Sequence, residues 1–135
     1  MFDQAFIDEF LKSKVFAVVG VSPNKEKYGY QVFEDLKEGG YTVYAVNPTY
    51  DDIYGEPCFK DLASLPEKPD VIDFVCPPKV TESMVEELPG LGIDKAWIQP
   101  GAESEKAISF CHDNGIKVLY EICVMVERGK RGQIV

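Results

Sequence analysis

The chain has 135 residues, 45% of them apolar, with 14 basic against 23 acidic side chains and a net charge of −9. That is one domain's worth of chain, with enough apolar residues for one continuous core. The acidic balance argues against a nucleic-acid backbone or an anionic membrane surface as partner, and no run of about 18 apolar residues offers a transmembrane helix.

Phe2, Phe6, Phe10 and Leu11 recur at helical spacing, and Asp3 is placed to cap a short leading helix within residues 1–14. This opening stretch carries acids and no basic region before its apolar residues, so it does not read as a secretory signal. Val15 to Val19 is a continuous apolar run ending at Gly20, the pattern of a strand buried on both faces. Val32, Phe33 and Leu36 give a helical face that Gly39-Gly40 closes. Tyr41 to Val46 is the second strand, stopped by Asn47-Pro48. Asp51 to Gly55 reads as a polar turn, Pro57-Cys58-Phe59 as a short edge strand, and Leu62 with Leu65 as one helical turn. Val71 to Val75 is the next strand, broken by Cys76-Pro77-Pro78. Val80, Met84, Val85 and Leu88 mark a helix that Pro89-Gly90 is expected to end. Ala96 to Gln99 is a strand in which Trp97 joins the core or caps it; a helix from Glu103 to Asn114 and a last strand from Ile116 to Tyr120 follow. The polar ERGKRGQIV segment, residues 127–135, reads as a frayed tail.

Strands and helices alternate at βαβ spacing. This predicts a three-layer α/β fold, a doubly wound and mostly parallel Rossmann-like sheet of order 3-2-1-4-5-6, in a single domain over residues 1–135. In such a sheet the ligand crevice opens at the carboxyl ends of the strands, where the winding reverses. Here that point lies between the Val15–Val19 and Val71–Val75 strands. The loops around it are Gly20 to Lys25 and Cys76 to Lys79, flanked by Asn47-Pro48 and Gln99-Pro100-Gly101. Helices that start at these loops turn unpaired N–H groups toward the crevice and favour an anion.

The first loop departs from G-x-G-x-x-G. Ser22 replaces the second glycine and Lys25 stands at the third. The end of the second strand carries neutral Asn47 where a carboxylate would hold plain ribose hydroxyls. Ser22 offers a hydroxyl, and Lys25, Lys27 and Lys79 offer charge. The pattern therefore favours a phosphorylated nucleotide over plain NAD.

Cys58, Cys76, Cys111 and Cys123 match no zinc spacing and read as reduced thiols of a cytoplasmic protein. His112 is the sole histidine and has no partner pattern for a metal or for acid–base work. No nucleophile–base pair stands out, so no catalytic residue is assigned.

The blocks VVGVSPNKEKYGYQV, YAVNPTYDDIYGEPCFKDL, FVCPPKV and WIQPGAES, with the cysteine of EICVMVE, resemble the small stand-alone CoA-binding proteins. The same domain opens the succinyl-CoA ligase α-subunit and the ADP-forming acyl-CoA synthetases. The resemblance covers Val15 to Glu127. It implies a Rossmann-like fold that binds coenzyme A or an acyl-CoA. The implied ligand positions are Gly20, Ser22, Lys25, Tyr28-Gly29, Asn47, Pro48, Pro77-Pro78-Lys79, Gln99, Gly101 and Cys123. Cys123, after the last strand, is expected near the carboxyl-end rim, where a thiol can meet the sulfhydryl of CoA. Two positions depart from the family: Ile122 stands where many members carry arginine, and Thr49 where some carry lysine. Both remove positive charge from the rim, and Asp51 and Asp52 add negative charge beside it. The resulting expectation is a carrier, sensor or partner subunit that binds CoA. The alternatives are a NAD(P)-binding oxidoreductase or redox sensor in the same crevice, and an interaction subunit with a degenerate pocket.

Overall fold

The computed structural model describes residues 2–132. Asp3 caps α1 (Gln4–Leu11) by accepting from the Phe6 N–H at 2.8 Å. There follow β1 (Val15–Val19), α2 (Tyr28–Glu38), β2 (Thr42–Val46), β3 (Asp52–Ile53), β4 (Glu56–Phe59), a 3-10 turn at Leu62–Ser64 and β5 (Val71–Phe74). Then come α3 (Pro78–Val85), α4 (Leu88–Leu91), β6 (Lys95–Ile98), α5 (Glu105–Asp113), β7 (Lys117–Tyr120) and α6 (Val124–Gly132).

Among the described residues the strands form one seven-stranded sheet of order β3-β4-β2-β1-β5-β6-β7. All pairings are parallel except the β3–β4 hairpin. Leaving that hairpin arm aside, this is the doubly wound order expected from the sequence. Consecutive residues of each central strand point to opposite faces. Ala17, Val19, Ile72, Phe74, Ala96 and Ile98 pack under α3 and α5. Phe16, Val18, Val71, Trp97 and Leu119 pack under α1, α2 and α6. Burial on both faces explains why β1 reads as an unbroken apolar run and why β5 reads as one interrupted only by Asp73.

Sheet pairing runs one residue past the strand ends. The Gly20 N–H donates to the Val46 carbonyl at 2.9 Å, Asn47 N–H to Phe59 at 2.9 Å, Val75 N–H to Val19 at 2.9 Å, and Gln99 N–H to Phe74 at 3.0 Å. These bonds line up Gly20, Asn47, Val75 and Gln99 in a row along the carboxyl-end rim, with the reversal of winding between β1 and β5.

Three local expectations are corrected. The Asp51–Gly55 stretch contains β3; the turn itself is Tyr54-Gly55, both at positive φ. Pro89-Gly90 does not end a helix. α3 stops at Val85, and Pro89 sits in the first turn of α4, where its missing N–H has no partner to lose; Gly92, at φ 72°, ends α4. The segment expected to fray is α6 as far as Gly132, while residues 133–135 lie outside the described range. Its charges have partners. Arg128 makes two 2.8 Å bonds to the Asp35 carboxylate on α2, and Arg131 pairs with Glu127 and with Asp8 of α1.

Candidate nucleotide-binding site

The loop after β1 is set by two glycines. Gly20 adopts φ 108°, and a Cβ there would lie 1.9 Å from the Val75 carbonyl oxygen, so no side chain fits between β1 and β5. Gly29 is the second residue of α2; a Cβ there would lie 2.3 Å from the Gly20 carbonyl oxygen. Close packing of helix on strand, the task of the third glycine in G-x-G-x-x-G, is thus done by Gly29, with a longer loop between. Within that loop the Ser22 hydroxyl accepts from the Asn24 N–H at 3.2 Å and Asn24 Oδ1 accepts from the Glu26 N–H at 3.0 Å. The β3–β4 turn braces it: the Tyr54 hydroxyl donates to the Pro23 carbonyl at 2.5 Å.

Two cavities open at the rim and share Gly20, Cys76 and Pro77, forming two lobes of one crevice. The first, about 530 Å³, is bordered by Ser22, Lys27, Tyr28, Gly29, Tyr50 and the Pro100–Ala102 turn. It faces the amino end of α2, which has no side-chain cap and no acid in its first turn. Its free N–H groups and the helix dipole make this lobe a seat for an anion. The second, about 350 Å³, is more apolar. Val46, Pro48, Val80 and Met84 line it, with Asn47 and Lys60 at its edge. Pro77 caps α3 between the lobes.

Beneath the first lobe lies a polar network that the sequence does not announce. Gln99 is fully buried. Its Nε2 donates to Asp73 Oδ1 at 2.5 Å, while its Oε1 accepts from the Val124 N–H and the Tyr28 hydroxyl, each at 3.0 Å. The Tyr28 oxygen also stands 2.7 Å from Cys123 Sγ. Burial, then the thiol contact, raise the Tyr28 pKa, so the phenol stays protonated and serves as a donor. Asp73 is fully buried, and its Oδ2 has no hydrogen-bond partner among the described residues. Complete burial pushes its carboxyl up to about 8, with the Gln99 bond pulling the other way. Burial also raises the Cys76 thiol, against a 3.3 Å contact with the Thr81 hydroxyl.

The structure thus brings Gly20, Ser22, Tyr28, Pro77 and Gly101 to the first lobe, and Gly20, Asn47, Pro48 and Pro77 to the second. Gln99 lies below the floor, and Cys123 lies behind Tyr28. The Asn47 amide is committed to main chain: Nδ2 donates to the Val21 carbonyl at 2.9 Å and Oδ1 accepts from the Thr49 N–H at 3.0 Å. Lys25 borders neither lobe; its ammonium sits 4.7 Å from the centre of the Tyr54 ring. Lys79 is exposed on α3 and borders neither lobe. Tyr50 and Lys60 were not foreseen. Applying the carboxyl-end rule to the edge strand as well as the central ones would have pointed to Lys60, which directly follows β4.

Fold and crevice together define a Rossmann-like α/β domain in which the N-terminus of α2 faces a crevice at the reversal of winding. Residues 14–129 match the CoA binding domain family, and the chain belongs to that family. It is 34% identical over 115 residues to acetate–CoA ligase (ADP-forming) I of Archaeoglobus fulgidus, spanning 85% of this chain but 16% of the ligase. It is 27% identical over 124 residues to the uncharacterized Bacillus subtilis protein YneT, spanning 91% of this chain and 92% of YneT. A hypothetical protein of Pyrococcus horikoshii superposes with a TM-score of 0.89 at 29% identity, over 96% of this chain and 92% of that one. A conserved hypothetical protein of Pyrococcus furiosus gives 0.80 at 42% identity, over 84% and 98%.

Proposed function

We propose that the chain binds coenzyme A or an acyl-CoA in the two-lobed crevice and acts as a carrier, sensor or partner subunit in the cytoplasm. The observation that carries this reading is the uncapped amino end of α2 facing a cavity at the reversal of winding, in a chain of the CoA-binding family. The diphosphate sits on the N–H groups of the first turn of α2, with Ser22 and Lys27 beside it. The adenine enters the apolar lobe between Val46, Val80 and Met84. The pantetheine arm leaves along Tyr28 and the Pro100–Ala102 turn, toward Cys123. Gln99 acts from below by fixing Tyr28. No bond-making step is assigned.

A thermal-shift series tests the proposal. Ligand at a hundred times Kd adds about 2.7 kcal/mol, which for a chain of this size raises Tm by on the order of 10 °C. CoA is expected to produce such a shift. A larger shift with NADH or NADPH than with CoA would reverse the reading, and no shift with CoA at millimolar concentration would defeat it. Neutral Asn47 weighs against plain NAD, because the end of β2 offers no carboxylate to ribose hydroxyls.

A further inference from the structure

Among the described residues the apolar lobe is lined by one basic group, Lys60, which lies beside the end of β2. Lys60 follows β4, beside β2, and lines the lobe next to Asn47 and Pro48. Its ammonium is 3.5 Å from the Pro48 carbonyl and 3.2 Å from the Asp51 carboxylate. In doubly wound sheets the end of the second strand meets the ribose of a bound nucleotide. Here that end is neutral Asn47, whose amide is turned to the Val21 carbonyl and the Thr49 N–H, and the charged group beside it is Lys60. A cation there contributes nothing special to a plain ribose and attracts one that carries a phosphate.

The other charges around Lys60 leave it this role. Asp61 also borders the lobe, but its Oδ1 accepts from the Ser64 N–H at 2.9 Å and caps the 3-10 turn. Glu87, the residue before α4, also borders the lobe. The side chains of Lys60 and Asp51 are 61% and 89% exposed, so their pair costs little to open. Lys27 borders the other lobe, at the diphosphate seat.

We infer that Lys60 forms a subsite for a phosphate on the ribose of the bound nucleotide, and that it makes this chain prefer the 3′-phosphorylated adenosine of CoA to its dephosphorylated form. Lys60 would then supply the charge that Thr49 does not. The inference rests on the CoA reading and is tested apart from it by titration calorimetry of the native chain, Lys60→Gln and Lys60→Arg with CoA and with dephospho-CoA. The native chain is expected to bind CoA about tenfold or more tightly than dephospho-CoA, in the range of one charge-assisted hydrogen bond. Lys60→Gln is expected to bring CoA down to the level of dephospho-CoA while leaving dephospho-CoA affinity unchanged, and Lys60→Arg to keep the preference. Unchanged dephospho-CoA binding also shows that the variant is folded. If Lys60→Gln keeps the native ratio, or the native chain shows none, the inference is overturned and the CoA reading stands. Binding of neither ligand by the native chain overturns both.

Discussion

At the scale of single residues, Gly20 and Asp73 carry the clearest expectations. Gly20→Ala places a methyl group against the Val75 carbonyl at a positive φ that alanine resists. The cost is about 2–4 kcal/mol, readable as a lower urea midpoint with an unchanged m-value. Asp73 makes a statement about pH. Its carboxyl sits near 8 in the folded chain against an ordinary 3.8. The unfolded chain therefore releases this proton first, and stability drains away as pH rises from about 4 through about 8. The slope is at most about 1.4 kcal/mol per pH unit. Asp73→Asn keeps an acceptor for Gln99 Nε2 and has no proton to lose. Its stability profile from urea melts between pH 4 and 8 is expected to be flatter than the parent's; parallel profiles would show that Asp73 does not titrate in this window. Gln99 shows where residue-level reading stopped. WIQPG puts it at the rim, and there it is. That its amide turns down to Asp73 and Tyr28 depends on β5 and α2, which are distant in sequence. Lys25 stopped short for a similar reason: its ammonium is held over the ring of Tyr54, outside the crevice.

At the scale of elements, the central strands were legible because burial on both faces makes them mostly apolar: β1 is apolar throughout, β5 is broken only by Asp73, and β6 is apolar after Lys95. β3 was not, since a two-residue strand beginning with an aspartate has neither length nor propensity to betray it. α6 was missed because its stability lies in partners. Arg128 and Asp35 are 93 residues apart in sequence, and only the fold brings them together. Their side chains are 21% and 23% exposed. Arg128→Ala is expected to cost about 1–2 kcal/mol, and a double-mutant cycle with Asp35→Ala to show coupling of about 1 kcal/mol. Zero coupling would return the helix to the frayed state expected from sequence. The β3–β4 turn has a functional consequence. Tyr54 holds the loop after β1 through Pro23, so Tyr54→Ala is expected to leave Tm nearly unchanged, since the residue is 60% exposed, while weakening CoA binding several-fold. Equal affinity in calorimetry would show that the loop is ordered without this brace.

At the scale of the whole molecule, the sheet order places one crevice where the winding reverses, and the proposed reading divides the ligand between the two lobes by chemistry. On that reading the lobe at α2 takes charge, and the lobe between β2 and α3 takes an apolar ring. That division was legible only in part: the loops could be named, but the lobes depend on how α2 and α3 lean over the rim. Amide chemical shifts of the labelled chain, followed through a titration with CoA, test the central claim most directly. The account predicts the largest shifts at Gly20, Ser22 and the first turn of α2, with a second set at Asn47, Lys60, Cys76 and Gly101. Shifts gathered instead at the separate cavity bordered by Ser104, Ile108, His112 and Glu121, or none at saturating ligand, would contradict it.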